Sequence, residues 1–224
     1  ALAIFKVRQP TPLILSLLRA YRDKRISLKQ ARDTLEAIER FHFMHTAVAG
    51  LSSSGGVSMM YAAAARELTS ETDVQKRAKM LQEFQAKIKS RRPEEEAFIS
   101  GFSELRYSSV ETRNRALVRY ILERHDGQIR KDASIDYSKM TIEHIGSQNP
   151  NGAPALQRYA EIGNLVLVSE ELNEELKNKD FPEKKKIMIE AGLPLDAILA
   201  SASDWDDAAI ESRSAAIAKA VYAA

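Results

Sequence analysis

Residues 140–145 read Met-Thr-Ile-Glu-His-Ile, and residues 162–168 read Ile-Gly-Asn-Leu-Val-Leu-Val. Both stretches are short, apolar and rich in β-branched residues, which predicts two strands. Neighbouring side chains of a strand point to opposite faces, so Glu143 and His144 can serve one site only where the first strand ends or bends. Gly146 supplies that bend. Residues 170–177 have helix-forming composition, so the order strand, long loop, strand, helix is predicted.

These stretches belong to a longer pattern of spaced residues. The pattern consists of Ile142-Glu143-His144-Ile145, Ile162-Gly163-Asn164-Leu165, Asn173 and Asn178-x-x-Phe181-x-x-Lys184-Lys185. It resembles the HNH-like nuclease domain at the C-terminus of GmrSD-type restriction proteins, a domain shared by the SspE-like phage-defence proteins. The resemblance covers about residues 140–190, and Trp205, Ile210 and Arg213 resemble the closing helix of that domain. Ser147-Gln148 stands where the family usually has Pro-Gln.

The resemblance implies a metal-dependent endonuclease that attacks foreign DNA, with double-stranded DNA as its partner and Mg²⁺ or Mn²⁺ as its cofactor. It also implies a small ββα-metal module, followed by C-terminal helices. By the same resemblance, Glu143 and Asn173 are the metal-binding positions. The fold class expected for the whole chain is mainly α, with a helical domain over residues 1–132 and the nuclease domain over residues 133–224.

The residue types fit this chemistry. Phosphodiester hydrolysis needs a base that activates water and a cation that neutralises the charge building on the phosphate. His144 is the histidine beside a carboxylate on a candidate strand, and it is expected to be the general base. Glu143 and Asn173 offer hard oxygen ligands, which suit Mg²⁺ or Mn²⁺. Asn164 is expected to brace the loop over residues 146–161 by hydrogen bonds.

Four further residues are candidates for contact with DNA: Arg158, Asn178, Lys184 and Lys185. Arg158 lies on the long loop, where it can touch phosphate. For Asn178 and the two lysines, stabilisation of the helix that carries them is an equally open reading.

Composition excludes several classes of protein. The chain has 224 residues, of which 44% are hydrophobic and 29% charged, as in an ordinary globular protein. It contains no cysteine, which excludes disulfides and cysteine-based zinc sites. No signal peptide or membrane span is expected, and a cytoplasmic location follows. The net charge of +2 is a weak signal for nucleic acid, and the basic runs at 76–92 and 113–124 fit either a phosphate track or a solvated helix face.

The region before Met140 reads as a series of helices. Ser27 begins a capping box, followed by an amphipathic helix predicted over 28–49. Residues 52–56 predict a flexible break, and helices are expected over 57–68, 72–91 and 110–125. Asp126-Gly127 is expected to close the last of these, and Ser203 to begin the final helix of the chain.

Two features of this region are given structural interpretations. His42 and His45 lie three apart on an apolar stripe with no third ligand nearby, so core packing is preferred over metal binding. The Ser-Gly run lacks the Gly-Lys-Ser/Thr ending of a phosphate-binding loop. The nucleotide-sensing domain or subunit that the resemblance implies is therefore expected upstream, outside this chain.

Two alternatives to an active nuclease stay open. Glu143-His144 can be a surface turn and the asparagines can be caps, because Asn often serves in caps and turns. The chain can also be a non-catalytic helical DNA-binding or adaptor module whose nuclease site has decayed. The intact set of Glu143, His144 and Asn173 favours the enzyme.

Overall fold

The computed structural model describes residues 1–52, 55–130, 135–148 and 155–223. Within these ranges the protein is mainly helical with one two-stranded sheet, which confirms the mainly α prediction. The chain divides into two compact units, Ala1–Phe98 and Ile99–Ala224. The boundary expected at residue 132 lies in 131–134, outside the described residues. The helix just before it packs on the second strand and the last helix, and so belongs to the second unit.

Over its described residues up to Lys89, the first unit contains four α-helices and one π-helix. They are α1 (Thr11–Arg22), α2 (Leu28–His42), the π-helix Phe43–Val48, α3 (Gly55–Ser70) and α4 (Val74–Lys89). Apolar residues spaced three and four apart on these helices meet in one core, as expected for amphipathic helices. Fully buried members of this core include Leu13, Leu17, Tyr61 and Leu68.

Local signals of the first unit are partly confirmed. Ser27 forms the predicted capping box, because its side chain accepts from the Gln30 backbone while the Gln30 side chain accepts from the Ser27 backbone. The helix that follows changes to π-helix after His42 instead of continuing as α-helix. The flexible break is shorter than predicted, because Gly55 already begins α3. Ser53 and Ser54, also assigned to that break, lie outside the described residues.

The second unit contains the sheet and its surrounding helices. Its elements are α5 (Glu95–Ser103, which contains the unit boundary), α6 (Arg115–Arg130), a 3₁₀ turn Tyr137–Lys139, β1 (Met140–His144), a 3₁₀ turn Ile162–Asn164, β2 (Leu165–Ser169), α7 (Glu170–Leu176), α8 (Phe181–Glu190), α9 (Ala197–Ser201) and α10 (Asp207–Ala223). The core combines side chains of the sheet with side chains of the later helices, including Ile145, Val168, Met188 and Ile210.

Two helix ends in this unit differ from the sequence-based expectation. Gly127 does not end α6, which continues to Arg130. The Asp126 carboxylate accepts hydrogen bonds from Arg130 of the same helix, at 2.6 Å, and from the Tyr137 hydroxyl, at 2.9 Å, so side-chain contacts outweigh the low helix propensity of glycine. The final helix begins at Asp207 rather than Ser203, and Asp206 accepts from the Ala209 backbone at 2.8 Å.

The sheet is an antiparallel pair that leads directly into a helix. Glu143 pairs with Val166 and His144 with Leu165. β2 passes into α7 at Ser169, whose side chain caps the helix by accepting from the Leu172 backbone. The predicted order of strand, loop, strand and helix is confirmed in the described residues, and α7 contacts both strands.

The last helix packs directly on the turn before β2. A side-chain carbon at Gly163 would overlap the Ile210 carbonyl oxygen and the Ser214 side chain, so only glycine permits this approach. The Gly163 N–H donates to the Ser214 hydroxyl at 2.9 Å. Arg213 is buried and donates to the carbonyls of Gly163 and Leu165, at 2.7 and 2.9 Å. These bonds fix the start of β2 against α10.

Candidate active site

His144 ends β1 in a buried position, with both ring nitrogens hydrogen-bonded. Nε2 lies 3.1 Å from the Tyr107 carbonyl oxygen, and Nδ1 lies 3.0 Å from the Gln148 amide nitrogen. A carbonyl oxygen only accepts, so Nε2 carries the proton and Nδ1 carries the lone pair. The amide orientation agrees, because Gln148 Oε1 accepts from the Ser109 backbone at 3.0 Å and so turns its nitrogen towards His144.

The surroundings keep the His144 ring neutral. Burial lowers the pKa of His144 to about 4, the hydrogen bond to Tyr107 acts in the opposite direction, and the positive charge of Lys184 lowers the pKa further. The rings of Tyr107 and Tyr159 lie near the imidazole, with centroids 6.1 and 6.5 Å from that of His144. At neutral pH the imidazole therefore holds an unprotonated nitrogen in a fixed orientation.

Glu143 and His144 are joined through Lys184. The Lys184 ammonium donates to Glu143 Oε1 and to the His144 carbonyl oxygen, each at 2.6 Å. Lys184 is 1% exposed, and the Glu143 side chain is 13% exposed. A buried ammonium held by two oxygens is not presented to solvent, so the predicted contact of Lys184 with DNA would require these bonds to break.

Asn164 holds both sides of the loop that follows β1. It is fully buried, and its amide oxygen accepts from the Gly146 backbone at 2.7 Å and from the Trp205 indole at 2.8 Å. Its amide nitrogen donates to the carbonyls of Gly146 and Tyr159, at 2.9 and 2.8 Å. The bonds to Gly146 and Tyr159 connect the beginning of the loop to its end. Residues 149–154 of this loop lie outside the described residues.

The two other asparagines lie on and after α7. Asn173 is half-buried on the helix that contacts β1, the strand of Glu143. Asn178 is exposed, and its amide oxygen accepts from the Ser147 hydroxyl at 3.1 Å. A hard divalent cation prefers oxygen donors such as a carboxylate and an amide oxygen. Among the described residues, no cluster of three or more histidine, aspartate and glutamate side chains could hold a metal ion.

The remaining candidates for DNA contact already have protein partners. Arg158 donates to both carboxylate oxygens of Glu161, at 2.9 and 3.0 Å, and lies 3.1 Å from Glu211. Lys185 donates to the carbonyls of Ala200 and Ala202 at 2.6 Å, near the end of α9. Phosphate would have to compete with carboxylates for Arg158 and with backbone carbonyls for Lys185.

The family model for the C-terminal domain of GmrSD restriction endonucleases matches residues 92–220 of the chain. The chain belongs to the GmrSD C-terminal domain family. Membership indicates a restriction-endonuclease-like function with DNA as the substrate. The match also covers Tyr107 and Ser109, so the GmrSD-type domain includes the segment that contacts His144.

No curated protein matches the chain. The described part of the chain contains no helix that is long and apolar enough to cross a membrane. Sequence reasoning missed Tyr107, Gln148 and the buried role of Lys184. Gln148 had a signal, because it stands in the Pro-Gln position of the GmrSD motif. Tyr107 had none, because it contributes a backbone carbonyl that any residue type could supply.

Proposed function

We propose that the protein is a metal-dependent DNA endonuclease of a restriction or anti-phage system. His144 is the general base, and Glu143 and Asn173 hold Mg²⁺ or Mn²⁺ in an HNH-like ββα module. The observation that carries this proposal is the pair of hydrogen bonds to the His144 ring, in which Nε2 donates to a backbone carbonyl and the Nδ1 lone pair accepts from the Gln148 amide. That arrangement orients a base towards one proton donor.

Each residue of the site has a separate role in this proposal. His144 Nδ1 accepts the proton of the attacking water once that water replaces the Gln148 amide. A bound divalent cation would neutralise the charge that develops on the phosphate and the leaving oxygen. Asn164 keeps the backbone at Gly146 in place, and Asn178, which is exposed beside Ser147, contacts the DNA backbone. Arg158 and Lys185 contribute to binding only where phosphate displaces their present partners.

The second candidate function is a DNA-binding adaptor with an inactive site. It is favoured by one observation, namely that Glu143 and the Nδ1 atom of His144 are both engaged by protein groups. An adaptor predicts DNA binding without cleavage at any metal concentration.

The deciding experiment incubates the purified protein with supercoiled plasmid in Mg²⁺, Mn²⁺ or EDTA between pH 6 and 9. The enzyme is expected to nick or linearise the plasmid with either metal, and EDTA is expected to stop it. His144→Ala protein, shown to be folded by circular dichroism, serves as the control against a contaminating nuclease. Intact plasmid under all conditions, together with DNA binding, would establish the adaptor instead.

A further inference from the structure

Three consecutive lysines on α8 lie in very different environments. Lys184 is 1% exposed, whereas Lys185 is partly exposed and the Lys186 side chain is 74% exposed. Ionised ammonium groups are seldom fully buried, because the loss of hydration is costly unless the charge is paired. Lys184 is paired with a carboxylate and a carbonyl, both at 2.6 Å. The burial of the Lys184 ammonium against the end of β1 therefore needs a specific structural reason.

The peptide group between His144 and Ile145 is held from both sides. Its carbonyl accepts from Lys184, and its N–H donates to the Asn164 carbonyl at 2.8 Å. The orientation of this peptide sets the direction in which the chain leaves β1 and enters the loop. Lys184 and Asn164 thus act on the same backbone unit from different elements.

The second bond of Lys184 fixes a side chain. Glu143 Oε1 accepts from the ammonium, and a carboxylate has a second oxygen that can take another partner. Charge-assisted bonds of this length restrict the side chain strongly. One cation on α8 therefore sets both the rotamer of Glu143 and the backbone of His144. It links these two residues even though the side chains of neighbouring strand residues point to opposite faces of the sheet.

We infer that Lys184 is a positioning residue of the nuclease site. It holds the Glu143 carboxylate ready to ligate a divalent cation with its second oxygen, and it holds the His144 backbone so that the imidazole keeps its orientation. It does not contact DNA. This inference rests on the proposed nuclease function, and it adds a residue that supports the metal ligand and the base together.

The test compares Lys184→Met with Lys186→Met, which makes the same substitution at an exposed position of the same helix. Mn²⁺ binding is measured by electron paramagnetic resonance, plasmid cleavage is followed against Mn²⁺ concentration, and DNA affinity is measured against salt. Lys184→Met is expected to weaken Mn²⁺ binding at least ten-fold and to lower the maximal rate. Its DNA affinity and salt dependence are expected to equal those of the parent protein. Lys186→Met is expected to leave Mn²⁺ binding and the maximal rate unchanged.

The partly buried charge of Glu143, which Lys184→Met would leave without this partner, makes a folding control necessary. If Lys184→Met fails to fold, the double variant Glu143→Gln, Lys184→Met removes the unpaired carboxylate and is compared with Glu143→Gln alone. The inference expects the double variant to be folded and its Ile145 amide proton to exchange faster than in Glu143→Gln, because the His144 backbone has lost its support. Equal exchange rates of the Ile145 amide in the two variants would overturn it.

Other outcomes separate this inference from the proposed function. A parent protein that binds no Mn²⁺ and cuts no DNA refutes both. A parent that cuts, with Lys184→Met equal to it in Mn²⁺ binding and rate, refutes only the positioning role. Tighter Mn²⁺ binding by Lys184→Met would identify Lys184 as a competitor for the carboxylate. A loss of DNA affinity with a salt slope reduced by about one would identify a phosphate contact.

Discussion

His42 in the first unit and His144 in the second have the same general description. They are 0% and 5% exposed, and each has hydrogen bonds at both ring nitrogens. Burial lowers the pKa of each to about 4. Burial and a lowered pKa therefore show only that an imidazole is neutral at pH 7.

The partners of the two rings differ. His42 bonds Thr46 one turn further along the chain and the Tyr61 hydroxyl, and it contacts the rings of Phe41 and Tyr61 in a helical core. His144 bonds a loop carbonyl and a loop amide, and the Glu143–Lys184 pair lies beside it. A substrate can replace a partner from a loop more easily than one inside a packed core. The partners, more than the burial, make His144 the better candidate for the general base.

The largest effect is expected for His144→Ala. Loss of a general base typically lowers the rate about a hundred- to ten-thousand-fold, while DNA binding depends on phosphate contacts elsewhere. Single-turnover cleavage and salt-dependent binding of the same preparation measure the two quantities separately.

His42→Ala is the matched control for that prediction. It is expected to destabilise the first unit by about 1–3 kcal/mol, because the buried Tyr61 hydroxyl loses its partner. Cleavage per folded molecule should stay at the parent level. A specific loss of cleavage in His42→Ala, with the fold intact, would break the distinction between the two histidines.

Acidification is expected to destabilise both units. The unfolded chain titrates its histidines near 6.5, whereas the folded values are about 4, so the unfolded state binds more protons between these pH values. Stability therefore falls as the pH falls from 6.5 to 4, by on the order of 3 kcal/mol at most for each histidine. Urea unfolding at several pH values measures this, and Trp205 fluorescence reports the second unit.

Variants assign the pH dependence to each ring. His144→Gln should weaken the pH dependence of the unfolding free energy that Trp205 fluorescence reports. His42→Gln should leave that pH dependence unchanged. A Trp205 transition with the same pH dependence in His144→Gln and the parent would mean that another group of the second unit titrates.

The asparagines extend the comparison from histidines to amides. Asn164→Ala leaves the Gly146 N–H and the Trp205 indole without their acceptor, at about 1–3 kcal/mol for each unsatisfied group, so the melting temperature should fall. Asn173→Ala should melt near the parent temperature, and raised Mn²⁺ should restore part of its activity. Thermal melts and metal titrations distinguish them, and the opposite pattern would exchange their proposed roles.

The smallest effect is expected for Gln148→Ala. The Gln148 amide donates to Nδ1 and so favours the neutral ring; its loss should raise the pKa of His144 towards the ordinary value. Titration of the His144 ring proton by NMR measures this change. A pKa that stays at the parent value would show that the Gln148 amide does not contribute to keeping the ring neutral.

Local patterns predicted much of this structure. The two strands, α7 and the capping box follow from residues that lie close together in the sequence. Asn164 is expected from the sequence to brace the loop, yet its bond to Trp205 joins positions 41 residues apart. Lys184 and Glu143 are likewise 41 residues apart. No periodicity encodes such pairs, and a charged side chain gives no sign in the sequence that it will be buried.

The Gly163 contact with α10 bears on the order in which this part of the fold can form during protein synthesis. The turn that leads into β2 packs against Ile210 and Ser214. Asn164, in the same turn, accepts a hydrogen bond from the Trp205 indole. When a ribosome has made every residue from His144 to Asn173, these closing residues are still missing. The proposed site residues Glu143, His144 and Asn173 are therefore synthesised before the residues that hold the start of β2 in place.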